Sequence, residues 1–142
     1  MSSDPQPGPG ADRAAPDRAA RLALAVARDG PTCIWCGREL TGQVHPTTEH
    51  VVPRVKGGPS WPENEVAACR RCNAARGHIS PVQWLTECRG RGWAPDEERL
   101  TRALEALAAA VARRGGRRRA RPTWTASCVG CAAGGRQPPD PA

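Results

Sequence analysis

Cys33-Ile34-Trp35-Cys36 and Cys69-Arg70-Arg71-Cys72 are two C-x2-C knuckles, and between them runs Thr48-Glu49-His50-Val51-Val52-Pro53. Asn73 follows the second knuckle directly. Two such pairs can close a tetrahedral thiolate cage on zinc. A closed cage has no open coordination position, so it builds structure and performs no chemistry. The polar residues held beside it are then the candidates for chemistry.

Working outward, both ends of the chain differ from its middle. Residues 1–15 are rich in Pro, Gly and Asp without apolar periodicity, and residues 115–142 are rich in Gly, Arg and Pro. These read as a disordered N-terminus and a disordered tail. The part left to fold contains no Phe or Tyr. A core of that size benefits from a metal staple. Of the 21 basic residues, Lys56 is the only lysine, and the net charge is +7. Residues 1–32 are neutral, whereas 33–93 carry +3 and 94–142 carry +4. A basic surface of this kind favours polyanions, nucleic acid above all. The first residues have neither a basic start nor an apolar run, and no stretch is long and apolar enough to span a membrane. The expected location is cytoplasmic, where paired cysteines mean metal more often than disulfide.

Helical signals flank the knuckles. Residues 16–30 form the first, with Pro16 in the opening turn, Leu22 and Val26 four apart, and Gly30-Pro31 as a stop. Ser80-Pro81-Val82-Gln83 is a helix start with a capping box. Within residues 94–114, Leu100, Leu104, Leu107 and Val111 repeat on one face. Acidic residues open that helix and Arg113 and Arg114 close it, as its dipole favours. A short helix follows the second knuckle up to Gly77. Residues 44–52 are rich in β-branched side chains and read as a small hairpin whose second arm carries Glu49 and His50. Lys56-Gly57-Gly58-Pro59-Ser60 reads as a loop that continues through Val66 and Ala67.

Glu49 and Asn73 offer hard oxygens, which suit Mg²⁺ or Mn²⁺ when water and phosphate complete the shell. His50 titrates near neutrality and can take a proton from water. Alternation along a strand sets Glu49 and His50 on opposite faces. Cys33-x2-Cys36, Glu49-His50-Val51-Val52-Pro53, Gly57-Gly58, Asn64 and Cys69-x2-Cys72-Asn73 with Arg76 together resemble the four-cysteine branch of the HNH endonucleases. The resemblance covers about residues 31–85.

That resemblance implies a small α+β fold: a zinc-stapled ββα-metal finger over residues 31–93, with flanking helices. It implies a divalent-metal-dependent endonuclease that hydrolyses DNA phosphodiesters. His50 would be the general base, and Glu49 and Asn73 the ligands of the catalytic Mg²⁺ or Mn²⁺. Asn64 would brace the loop that orients the histidine, and Arg76 would contact a phosphate. Cys33, Cys36, Cys69 and Cys72 would hold the structural zinc. Two positions depart from the commonest pattern. Glu49 stands where Asp is usual, and Asn73 where His is frequent. The alternative is a zinc-stabilised DNA-binding module without nuclease activity.

Arg54 and Lys56, with Arg113, Arg114, Arg117, Arg118, Arg119 and Arg121, are the residues expected to meet the nucleic-acid backbone, with double-stranded DNA as partner. The chain is expected to be a monomer or weak dimer, with room for a protein partner and none for a membrane. His45 and His78 read as surface residues, and Trp35, Trp61, Trp84 and Trp93 as packing residues. Cys88 reads as a buried thiol. The third C-x2-C, Cys128 and Cys131, has no evident fourth ligand.

Overall fold

Residues 16–114 are described by the computed structural model. The first helix, α1, runs Arg18–Asp29 with Asp17 as its cap: the carboxylate accepts from the Ala20 amide at 2.8 Å. Strand β1 (Pro46–His50) pairs antiparallel with β2 (Glu65–Cys69). Helix α2 (Arg70–Arg76) follows β2 without a break, then α3 (Pro81–Gly90) and α4 (Glu97–Arg114). No described helix is long and apolar enough to cross a membrane.

The sheet corrects the local hairpin expected over 44–52. β1 is the first strand, not a second arm, and its partner lies beyond the loop at residues 65–69. The stretch read as loop through Val66 and Ala67 is β2, fully buried along its length. Ala67 and Ala68 carry little intrinsic strand preference, so this pairing is imposed by burial and long-range contact rather than by propensity. Asn64 closes the start of the sheet, because its carbonyl accepts from the Val51 amide at 2.9 Å.

The first knuckle docks on β2. Ile34 donates to Ala67 O at 3.1 Å and accepts from Asp96 N at 2.8 Å, tying knuckle, sheet and α4 together. Gly37, at φ 73°, makes the turn that lets both sulfurs of the knuckle face one point. Ile34, Trp35, Val51, Val66, Trp84, Leu85, Leu100 and Leu104 form the main core. Val52, Leu107 and Val111 form a smaller cluster under Trp61. Burial of the Leu100, Leu104 and Leu107 side chains contributes roughly 1.5–3 kcal/mol each. Arg99, buried on the same helix, donates to Thr32 O at 2.8 Å and Thr32 Oγ1 at 2.7 Å, locking α4 to the knuckle.

Candidate active site

The four sulfurs of Cys33, Cys36, Cys69 and Cys72 lie within 4.8 Å of one another. Cys36 and Cys69 are 4.0 Å apart, and Arg38 donates to both, at 3.5 and 3.6 Å. Hydrogen bonding from Cys72 pulls the Cys33 thiol down to about 4, and the same contact pushes Cys72 up. Four sulfurs this close would repel one another as thiolates without a cation between them. A tetrahedral dication resolves the conflict, and an all-sulfur set at this spacing fits structural zinc. The cage joins the first knuckle to the junction of β2 and α2, which fixes the start of α2 relative to the sheet.

Next to the cage, β1 and α2 bound a hollow of about 300 Å³ lined by Thr48, Glu49, His50, Asn73 and His78, with Arg18, Arg21 and Arg54 at its rim. Glu49 and Asn73 therefore open on one space, although β1 sends Glu49 and His50 in different directions. The Glu49 carboxylate turns inward: Oε1 accepts from Arg76 Nη1 at 2.9 Å and Oε2 faces Trp35 Nε1 at 3.4 Å. Burial pushes Glu49 up to about 7, against the pull of Arg76. A carboxylate has about four lone-pair sites and the Asn73 amide supplies a carbonyl oxygen. Both Glu49 oxygens face donors, Arg76 and Trp35, while Asn73 brings its amide oxygen to the same hollow.

The His50 ring points the other way. Its Nε2 lies 3.1 Å from Ser60 Oγ and 3.5 Å from Glu65 Oε1. Burial first, then the guanidiniums of Arg54, Arg21, Arg18 and Arg76, hold the ring down to about 4. It is a neutral base at pH 7.

Asn64 is fully buried in the loop between the strands. Its Oδ1 accepts from Val52 N at 2.8 Å, while Nδ2 donates to Val52 O at 3.0 Å and Pro59 O at 2.9 Å. Both backbone polar groups of Val52, two residues after His50, are thereby fixed. Gly58 sits inside this brace. A Cβ there would lie 1.8 Å from Val52 O and 2.9 Å from Asn64 Nδ2.

Arg76 requires a correction. It is 1 % exposed, so it has no free face to offer a phosphate. Its Nε donates to Ile79 O at 3.0 Å, Nη1 to Glu49 and to His50 O at 2.8 Å, and Nη2 to Val51 O at 2.6 Å. The guanidinium also stacks 5.0 Å from the Trp35 ring. Arg76 is a buried clamp between α2 and the end of β1. One turn earlier, Asn73 stays half-exposed on the hollow.

Among the expected backbone-binding residues, Arg54 is exposed at the rim, while Lys56 is half-buried and away from the hollow. Arg113 and Arg114 lie 3.8 and 3.5 Å from Glu63, and Arg114 stacks 4.4 Å over Trp61. Arg117, Arg118, Arg119 and Arg121, with Cys128 and Cys131, lie outside the described residues. Cys88 is buried, and burial pushes its thiol up to about 11. His78 is exposed but also lines the hollow.

Sequence reasoning missed Glu65, Ser60, Arg18, Arg21 and Arg70. A second hollow, of about 530 Å³, lies between α1, β1 and α2 and shares Arg18, Thr48 and Asn73 with the first. Arg70 lines it. No local motif marks these residues: α1 packing brings Arg18 and Arg21, strand register brings Glu65, the inter-strand loop brings Ser60 and the start of α2 brings Arg70.

The order of landmarks now meets comparison with known proteins. Residues 33–83 match the HNH endonuclease family. The matched segment covers both knuckles, both strands, α2 and the start of α3. A crystal structure of the Type II-C Cas9 enzyme from Actinomyces naeslundii is similar at 27 % identity and a TM-score of 0.44, over 63 % of this chain and 11 % of that one. The chain spans about a tenth of that neighbour's length. No curated protein matches it.

Proposed function

We propose that this chain is a divalent-metal-dependent endonuclease that hydrolyses phosphodiester bonds in DNA. The observation that carries this reading is the shared hollow. His50, neutral at pH 7, and the oxygen-bearing Glu49 and Asn73 are among the residues that line it, together with Arg18, Arg21 and Arg54, in a fold that also holds a four-cysteine cage. The family match supports nuclease chemistry.

His50 acts as general base. Its free ring nitrogen takes a proton from a water molecule, and the hydroxide so formed attacks phosphorus. The P–O bond to the leaving oxygen breaks, and that oxygen gains a proton from solvent. Glu49 and Asn73 would hold a Mg²⁺ or Mn²⁺ ion, which would polarise the phosphate and offset charge on the leaving oxygen. Arg76 and Asn64 are positioning residues: one fixes the backbone at His50 and Val51, the other at Val52. Arg54, Arg18 and Arg21 supply positive potential at the rim. Cys33, Cys36, Cys69 and Cys72 would hold a zinc ion, which would tie the first knuckle to the start of α2 and so keep Asn73 near β1.

Nicking of supercoiled plasmid, run with Mg²⁺, Mn²⁺ and EDTA, tests the reading. Metal-dependent nicking that His50→Ala abolishes, with zinc content unchanged, is the expected result. Undiminished nicking by that variant overturns it.

One observation favours a second reading. The Glu49 carboxylate is neutralised by Arg76 and nearly enclosed. Were that pair too tight to accept a metal, the chain would bind DNA without cutting it. Retained duplex binding with no cleavage under any divalent metal is the signature of that zinc-stabilised module.

A further inference from the structure

Glu65 stands directly opposite His50 across the two-stranded sheet. Its carboxylate is buried at 1 % exposure, and Oε1 lies 3.5 Å from His50 Nε2. Behind it, Arg21 of α1 places Nε 3.1 Å from Oε1 and 3.0 Å from Oε2. Two turns further along α1, Arg28 donates to the Glu65 carbonyl at 2.9 Å. α1 lies outside the segment that matches the HNH family.

We propose that Glu65, pinned by Arg21, is a positioning residue that holds the His50 ring with Nε2–H toward the carboxylate and the Nδ1 lone pair free for the attacking water. This rests on the reading of His50 as the base.

The physical reason lies in the donor inventory. A neutral imidazole has one N–H and one lone pair, and an ionised carboxylate can only accept. An Nε2 lone pair facing Glu65 would set two regions of negative charge against each other in a buried site. The tautomer with hydrogen on Nε2 removes that repulsion. The Ser60 hydroxyl, 3.1 Å from the same nitrogen, donates or accepts equally well and imposes no tautomer. Arg21 favours the ionised carboxylate and keeps it from rotating away. Because β-sheet register fixes which residues face each other, the pairing depends on no side-chain search.

A simpler role exists for the same contacts. Arg21 and Glu65 could do no more than staple α1 to the sheet, and the two roles differ in what they predict. The measurement is the His50 tautomer, read from ¹⁵N shifts of the zinc-loaded full chain without catalytic metal, set beside nicking kinetics. The wild type is expected to carry hydrogen on Nε2. In Glu65→Gln, Arg21 retains the side-chain oxygen and the amide N–H turns to Nε2, which drives the hydrogen to Nδ1. For that variant kcat falls about a hundredfold with KM within twofold, smaller than the ~10⁴-fold loss that a wrong tautomer causes in a catalytic triad.

If Glu65→Gln fails to fold by zinc content and circular dichroism, Arg21→Met serves instead. It is expected to give a mixed tautomer and about a tenfold loss in kcat. A wild-type ring protonated on Nδ1, or a folded variant with unchanged tautomer and only a lower Tm, overturns the proposal. If the wild type cuts no DNA, the nuclease reading fails, while the tautomer still decides the role of Glu65.

Discussion

Arg76 Nη1 lies 2.9 Å from Glu49 Oε1 and 2.8 Å from the His50 carbonyl, so one guanidinium holds both the carboxylate and the backbone that follows it. A residue of α2 thereby sets the shape of the end of β1. Truncating it leaves Glu49 buried without a partner, which costs about 3–5 kcal/mol. Arg76→Met is expected to lower stability by that amount. Arg76→Lys should recover little of it, because a single ammonium cannot reach Glu49 and three carbonyls at once. Urea unfolding of the three proteins is the check, with equal midpoints for Lys and Arg as the contrary result.

Metal affinity should depend on pH through Glu49. Burial holds this carboxyl up to about 7, so below that pH a proton must leave before an ion can bind. Affinity for Mn²⁺ is expected to weaken by up to tenfold per unit as pH falls below about 7. Titration calorimetry between pH 5.5 and 8, roughly one unit either side of that value, reads the slope. Glu49→Gln should bind weakly with no such slope.

Stability also falls on acidification, through His50. The unfolded ring takes up a proton near 6.5, and the folded one resists until about 4. Its folded value is depressed, so the contribution is fully present above 6.5 and is lost as pH falls towards 4. Glu49, raised from 4.5 to about 7, acts the other way, favouring the folded state as pH falls. His50→Gln removes only the first effect. Relative to wild type, the variant should gain up to ~1.4 kcal/mol per pH unit on acidification below 6.5. Calorimetric unfolding of both proteins across that range measures the difference, and parallel curves would contradict the shift.

Gly58 is expected to tolerate no side chain. Its Cβ would meet the Val52 carbonyl, a backbone atom that cannot swing aside, and then the Asn64 amide. Gly58→Ala should cost about 1–3 kcal/mol and depress nicking by loosening the loop that carries Ser60. Gly42→Ala has open space around it and tests only left-handed backbone strain at φ 58°. Comparing the two separates steric clash from backbone strain.

The shared rim of the two hollows should behave as a phosphate track. Arg18 lines both hollows, Arg54 the smaller and Arg70 the larger, whereas Arg113 and Arg114 are engaged with Glu63. Each of Arg18→Gln, Arg54→Gln and Arg70→Gln is expected to reduce the salt slope of duplex binding by about one, measured in the His50→Ala background with EDTA. Arg102→Gln, on the exposed side of α4, should leave the slope unchanged.

The cysteine cage and the helices were legible in the sequence because each depends on local chemistry. Thiol spacing marks a cage, Ser80-Pro81 caps a helix, and Leu100, Leu104, Leu107 and Val111 show a buried face. The strand partner was not legible. Ala67-Ala68 have little strand propensity, and Val66-Ala67-Ala68 pairs with Thr47-Thr48-Glu49 where α1 and the first knuckle bury it. Everything that depends on that pairing was hidden with it. Glu65 faces His50 by register, and Arg21 reaches Glu65 from a helix more than forty residues earlier in the chain. Arg76, which the family pattern would send to a phosphate, was instead drawn inward by three free carbonyls and one carboxylate. Sequence determined which chemical groups the site contains. Tertiary structure decided which of them face solvent and which face each other, because burial and hydrogen-bond satisfaction are settled between elements and not within them.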